Sequence, residues 1–204
     1  MAAMRAAIVA LVLVAILAQA MELVHHGRFN PTRFLAFFTI QSNLLGVAAF
    51  IWLIAKRDSQ RSNGVELLRG AVAVYLAVTF LVVIFLLSGA DVQLQLGWVD
   101  VVLHKVFPVV VVVDWLIDPP SSPVAYRSAL LWLAYPVIWL GLTLARGAAD
   151  GWYPYPFLNP GPGGLGQVGV TVAAIILGFI VIAAIVVAVG NARGRTSPKI
   201  QAAS

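Results

Sequence analysis

Residues 166–190 read GQVGVTVAAIILGFIVIAAIVVAVG, a run without a single charge in which only Gln167 and Thr171 carry hydrogen-bonding side chains. At 1.5 Å rise per residue such a run exceeds the roughly 30 Å of a bilayer's hydrocarbon core. Working back toward the N-terminus, five more apolar blocks of the same character fall at about 125–146, 97–118, 67–89, 33–55 and 6–24. The fold expected is therefore all-α: a polytopic integral membrane protein, a six-transmembrane-helix bundle forming one domain over 1–192, with a short polar, disordered tail over 193–204. Stop and start chemistry agrees with these bounds. Pro31 precedes the second block, Pro119 and Pro120 end the fourth, and Gly190 with Asn191 closes the sixth.

The composition of the 204 residues points the same way, with 61% hydrophobic, only 10% charged and a mean hydropathy of +0.96. The polar gaps are too short for a sizeable soluble domain. A net charge of +5 raises the question of nucleic acid, but the basic residues are scattered over loop ends and line no single face, so no nucleic-acid partner is expected. The chain has no cysteine, which removes disulfides, thiol nucleophiles, iron–sulfur clusters and thiolate zinc sites together. Arg5, the first apolar run and Ala18-Gln19-Ala20 also fit a secretory signal with an Ala-x-Ala cleavage site. The length of that run, and Glu22 to His26 following it as a rim, favour a retained helix.

Basic loops stay in the cytoplasm. One side holds Arg5, Lys56, Arg57, Arg61, Arg69, Arg127, Arg193, Arg195 and Lys199, and the other holds only Arg28, Arg33 and Arg146, with Lys105 inside the fourth block. Both termini are thus expected in the cytoplasm, and the bias suits a bacterial inner (plasma) membrane.

Ionisable and strongly polar side chains are costly inside a bilayer and mark candidate sites. Thr39, Gln41, Ser42 and Asn43 lie on the second block, and Asp100, His104, Lys105 and Asp114 on the fourth. Thr39, Ser42, Asn43 and Gly46 form one stripe at i, i+3, i+4 and i+7, which also suits ordinary close packing of membrane helices. Asp100 stands one turn from His104, so its carboxylate can hold one ring nitrogen and leave the other free. Pro108 removes the donor for the His104 carbonyl and is expected to kink the helix. Counted from the outer ends of their spans, Thr39 and His104 both lie about 10 Å deep. A threonine hydroxyl needs a base to become a nucleophile, and histidine suits that task near neutrality. Asn43 and Gln41 are the nearest candidates for oxyanion donors.

The loop from Gly151 to Pro160 lies on the same outer side, and Trp152, Tyr155 and Phe157 are expected to lid the site, although aromatic residues also belt most membrane interfaces. Gly161-Pro162-Gly163-Gly164 reads as a turn and not a phosphate cradle, since no strand precedes it and no lysine follows. Glu22, His25 and His26 have helical spacing but form no HExxH pair, so solvated histidines are favoured over a metal site. Asp114, some 15 Å from His104 along the axis, is expected to pair with Arg127 or to reach water beside Asp118.

Three segments resemble those of a known family, the androgen-induced/androgen-dependent membrane proteins and their bacterial relatives. They are Phe37-Phe38-Thr39, His104-Lys105-Val106-Phe107-Pro108, and Tyr155-Pro156-Phe157-Leu158 followed by Gly161-Pro162-Gly163. Their order and spacing look like the family's along nearly the whole chain. The resemblance implies an intramembrane threonine hydrolase acting on esters of fatty acids with hydroxy fatty acids, or on a related bacterial lipid ester, without a cofactor. The family's essential threonine and histidine match Thr39 and His104, whereas Ile40-Gln41-Ser42-Asn43 departs from the animal members. The partners expected are membrane lipids and the lipid ester. The rival expectation is a non-catalytic lipid-binding or small-solute/proton transport protein, which internal repeats would favour, and none is found between the two halves. A structural subunit would need a small-xxx-small face, at which Gly166 to Gly178 only hints.

Overall fold

The computed structural model describes residues 1–56, 61–87, 96–161 and 163–195. The end of the expected third span at 88–89, Arg57, Pro162, Lys199 and the tail from 196 lie outside the described residues. The described chain is all-helical. Its elements are α1 (Ala2–His25), α2 (Pro31–Phe34), α3 (Phe38–Ala55), α4 (Asn63–Phe85), α5 (Gly97–Val101), a π turn (Val102–Val106), α6 (Phe107–Ile117), α7 (Tyr126–Ala129), a 3-10 turn (Leu130–Leu133), α8 (Ala134–Asp150), a 3-10 turn (Pro156–Leu158) and α9 (Gly164–Arg195). Among the described residues, five helical stretches are long and apolar enough to cross a membrane: α1, α3, α4, the run from Tyr126 to Asp150, and α9. Outward faces are apolar too, as at Val14, Leu17 and Met21 on α1 and Ile138 and Leu142 on α8.

Prolines explain the irregular helices. Pro108 has no N–H for the His104 carbonyl, and the helix accommodates it with the π turn, in which the Phe107 N–H reaches back to the Val102 carbonyl. The helical path continues without interruption from Gly97 to Ile117. Pro136 likewise deprives the Trp132 carbonyl, and there the Tyr75 hydroxyl donates at 3.0 Å instead.

α4 is the hub, packed against α3, α6 and α9, while α1 packs on α3 and α5. Small residues permit the closest approaches. A Cβ on Gly46 of α3 would stand 2.7 Å from the Phe107 ring, and one on Gly70 of α4 would stand 2.4 Å from Trp132. One end of the bundle is closed by a charge-balanced network. Arg5 grips Asp114 through two hydrogen bonds of 2.8 and 3.0 Å and also reaches Asp118 at 2.7 Å. Arg69 bonds Glu66 at 2.8 Å and Asp114 at 3.3 Å, and Arg61 bonds Glu66 and Asp118 at 2.7 Å each. Asp114 therefore pairs with Arg5 and Arg69, and the expected partner Arg127 is exposed.

Several boundaries differ from expectation: α1 begins at Ala2 and not at 6, α4 spans Asn63–Phe85 where 67–89 was expected, and α8 runs to Asp150 and not 146. The second block is not one helix: the chain turns at residues 35–37 between α2 and α3. α9 does not close at Gly190 but runs to Arg195, so the expected tail begins later than 193. The Asn191 side chain exchanges bonds of 2.8 and 2.9 Å with the backbone of Val124, and the Arg193 side chain donates to the Leu116 carbonyl at 3.2 Å, which holds this turn against the bundle.

Candidate active site

The break at 35–37 sets the position of Thr39. Phe37 is extended and serves as N-cap, which makes Thr39 the second residue of α3, where backbone N–H groups have no partner within the helix. No side chain of α3 caps them. The cap comes from the far end of the chain: the Tyr155 hydroxyl accepts the Thr39 N–H at 3.2 Å and also stands 3.2 Å from Thr39 Oγ1.

Thr39 Oγ1 lies 3.0 Å from His104 Nε2, and His104 Nδ1 lies 2.8 Å from Asp100 Oδ1. An ionised carboxylate can only accept, so Nδ1 carries the hydrogen and Nε2 presents its lone pair to the threonine hydroxyl. The three side chains form a hydroxyl–imidazole–carboxylate chain with the geometry of an activated nucleophile. Thr39 is 6% exposed and His104 3%. Lys105 Nζ is 3.8 Å from the second Asp100 oxygen and holds the open end of the chain.

Asn43 and Ser42 are fully buried and brace the site without entering it. Asn43 Nδ2 donates to the Thr39 carbonyl at 2.8 Å and to the Leu103 carbonyl at 3.2 Å, tying α3 to the π turn. Ser42 Oγ donates to the Thr39 carbonyl at 3.1 Å. Both amide hydrogens of Asn43 are thus engaged. Gln41 points elsewhere, with Nε2 donating to the Leu35 carbonyl at 2.6 Å and Oε1 accepting from the Tyr135 hydroxyl. Neither of the expected oxyanion donors faces the hydroxyl, because each serves backbone or side-chain groups of its own surroundings.

Two cavities meet at Thr39 and Tyr155. The larger, about 360 Å³, is bounded by Gln19, Arg28, Arg33, Phe37, His104 and Trp152 among others. The smaller, about 90 Å³, runs between α4, α8 and α9, and its walls are apolar apart from Thr39, Thr79 and Tyr155. Val137 and Ile176 line it and are themselves exposed on the flank of the bundle. The three loop aromatics occupy different places. Tyr155 touches the hydroxyl, Phe157 stacks on Tyr155 with centroids 5.3 Å apart and walls the apolar cavity, and Trp152 borders the polar one beside the Arg33 and Arg146 guanidiniums. Burial pushes the Tyr155 phenol up against the opposing pull of its bonds to Thr39, so it stays a neutral O–H donor.

Glu22, His25 and His26 bring ligand atoms within 4.8 Å of one another at the exposed end of α1, where His26 Nδ1 is already bonded to the Glu22 carbonyl at 2.9 Å. The sequence reading missed two features. Tyr155 was expected as a lid and not as a contact to the hydroxyl, and Gln19 was read only as the middle of a cleavage motif. No family model, curated protein or solved structure matches the chain.

Proposed function

We propose that the chain is a lipid-ester hydrolase acting within the membrane, with Thr39 as nucleophile and His104 as base. The observation that carries this reading is the 3.0 Å approach of Thr39 Oγ1 to an imidazole whose other nitrogen is held by Asp100. Thr39 Oγ1 attacks the ester carbonyl while its proton passes to His104 Nε2. Collapse of the tetrahedral adduct expels the alcohol, which takes that proton, and leaves an acyl-threonine. Water, deprotonated by the same imidazole, then releases the fatty acid and restores Thr39. Negative charge developing at Thr39 lies in the first turn of α3, at the positive end of the helix dipole.

The paired cavities support the substrate class that the family resemblance implies, fatty-acid esters of hydroxy fatty acids or a related bacterial lipid ester. An acyl chain enters sideways into the apolar cavity, and the acid end of the hydroxy acid faces Arg28 and Arg33 across the polar one. Trp152 and Phe157 flank the entrance as a lid. In this reading α5, the π turn and α6 together supply a sixth span. The basic bias puts both termini in the cytoplasm and the site toward the outer face of a bacterial inner membrane.

The test is hydrolysis of a branched fatty-acid ester by purified protein in detergent or vesicles. Thr39→Ala and His104→Ala should each lower kcat/KM by at least about 10³-fold. Full activity in either variant overturns the assigned roles, and a wild-type chain inert to both ester and fluorophosphonate favours the transport or lipid-binding reading.

A further inference from the structure

The reaction just proposed places a full negative charge on the former carbonyl oxygen, and the two residues that the sequence offered to receive it are occupied elsewhere. Tyr155 is one neutral donor within reach of Thr39 Oγ1. The walls of the polar cavity hold a second. Gln19 of α1 is 1% exposed, borders that cavity together with Thr39, His104 and Tyr155, and neither atom of its amide has a hydrogen-bond partner among the described residues. An orphaned primary amide is an expensive thing to keep in the packed interior of a helix bundle, since apolar side chains of similar volume would fill the place at no polar cost. Its neighbours on the buried face of α1, Val12, Ala15 and Ile16, are all apolar. The amide therefore has only apolar neighbours on this stretch of the buried face, whose other polar member, Arg5, lies at the far end of the helix. Gln19 and Leu23 are the α1 residues that border the cavity beside Thr39.

We infer that Gln19 is a catalytic residue for the proposed hydrolysis, its Nε2–H donating to the oxygen of the tetrahedral adduct. This inference rests on the hydrolase reading. The amide stays neutral throughout: Thr39 Oγ1 gives its proton to His104, the carbonyl π pair moves onto oxygen, and Gln19 with the Tyr155 hydroxyl stabilises the charge without losing a proton. The covalent balance is unchanged. Such a donor acts on the adduct more than on the bound ester, so it belongs to kcat.

The experiment compares the full-length wild-type chain, Gln19→Leu and Gln19→Glu in vesicles, reading branched-ester hydrolysis, fluorophosphonate labelling and thermal midpoint. Gln19→Leu should lower kcat by about 10²-fold with KM moving less than about threefold, as loss of one oxyanion donor does. Its thermal midpoint should rise, because an unpartnered buried amide is replaced by an apolar side chain of similar size. Relative to wild type at the same pH, Gln19→Glu should regain part of the rate as the pH falls and its carboxyl becomes protonated and able to donate, a ratio that cancels the common loss from protonating His104. A rise in stability together with a loss of kcat is the pattern that a packing role does not give. An active wild type with Gln19→Leu at wild-type kcat overturns this inference alone. Loss of activity with a lowered thermal midpoint, and no acid-pH recovery in Gln19→Glu, also overturns it in favour of a structural role. A wild-type chain inert to both ester and fluorophosphonate overturns the hydrolase reading and this inference with it.

Discussion

The Asp100 carboxylate decides which nitrogen of His104 carries the proton, and this makes the pair directional. Asn at position 100 can offer either its oxygen or its amide hydrogens to Nδ1, and the second choice moves the imidazole hydrogen to Nε2, where it can no longer accept from Thr39. Asp100→Asn should therefore lower kcat by roughly 10²-fold or more while leaving the thermal midpoint nearly unchanged, measured by ester hydrolysis and thermal melting. Asp100 is part-exposed near the helix end, so the fold does not depend on its charge. Asp100 and His104 were legible in the chain because a separation of four residues on a helix already fixes their proximity. Tyr155 and Gln19 were not. The former lies 116 positions from Thr39, and no local spacing relates them.

The π turn and the break before α3 are where local chemistry becomes site geometry. Pro108 was expected to kink the helix at His104, and the helix there forms a wider π turn that keeps the 2.8 Å bond to Asp100. The break at 35–37 was not anticipated, since Pro31 and the apolar run after it suit one long helix as well as two. It turns Thr39 from a mid-helix residue into a first-turn residue with an N–H for Tyr155 to cap. The spacing between α3 and the Phe107 turn is fixed by Gly46, where a Cβ would fall 2.7 Å from the Phe107 ring. Gly46→Ala should destabilise the chain by about 1–3 kcal/mol through overpacking, and it should lower activity further by parting Thr39 from His104. Thermal melting and ester hydrolysis on one preparation check both effects. An unchanged midpoint would mean that the interface yields freely.

The molecule as a whole is polarised, with the Thr39 cluster at one end and the arginine–carboxylate network at the other. That network joins α1, α4 and α6 through Arg5, Arg69, Glu66 and Asp114, all nearly inaccessible. Removing Asp114 takes one carboxylate from between two buried guanidiniums. Arg5 and Arg69 keep their bonds to Asp118 and Glu66, but the network is left with an uncompensated positive charge among nearly inaccessible side chains. Asp114→Ala should cost about 3–5 kcal/mol, read as a lowered thermal midpoint, although the residue lies at the opposite end from the hydroxyl and touches nothing in the site. At temperatures where the variant remains folded, its KM for the branched ester should match wild type. The sequence singled out Arg5, Arg61, Arg69, Asp114 and Asp118 but not Glu66, and it left Asp114 to Arg127 or to water beside Asp118, since opposite charges on the same rim are indistinguishable until the helices are assigned neighbours.

The sequence by itself determined that the chain is all-helical and apolar enough for a membrane, that five of its six apolar blocks hold long apolar helical stretches, and that a threonine and a histidine stand on two of the blocks as candidate partners. Those features follow from composition and from periodicities of a few residues, which the partition of side chains between water and hydrocarbon reads directly. Only the tertiary structure decided that Tyr155 caps Thr39, that Asn43 braces instead of donating to an oxyanion, that Gln19 borders the cavity, and that Arg5 takes Asp114. Each of these depends on which faces of distant helices meet. In a greasy bundle that choice rests on shape fit and interhelical hydrogen bonds between residues tens of positions apart, and no local pattern encodes it.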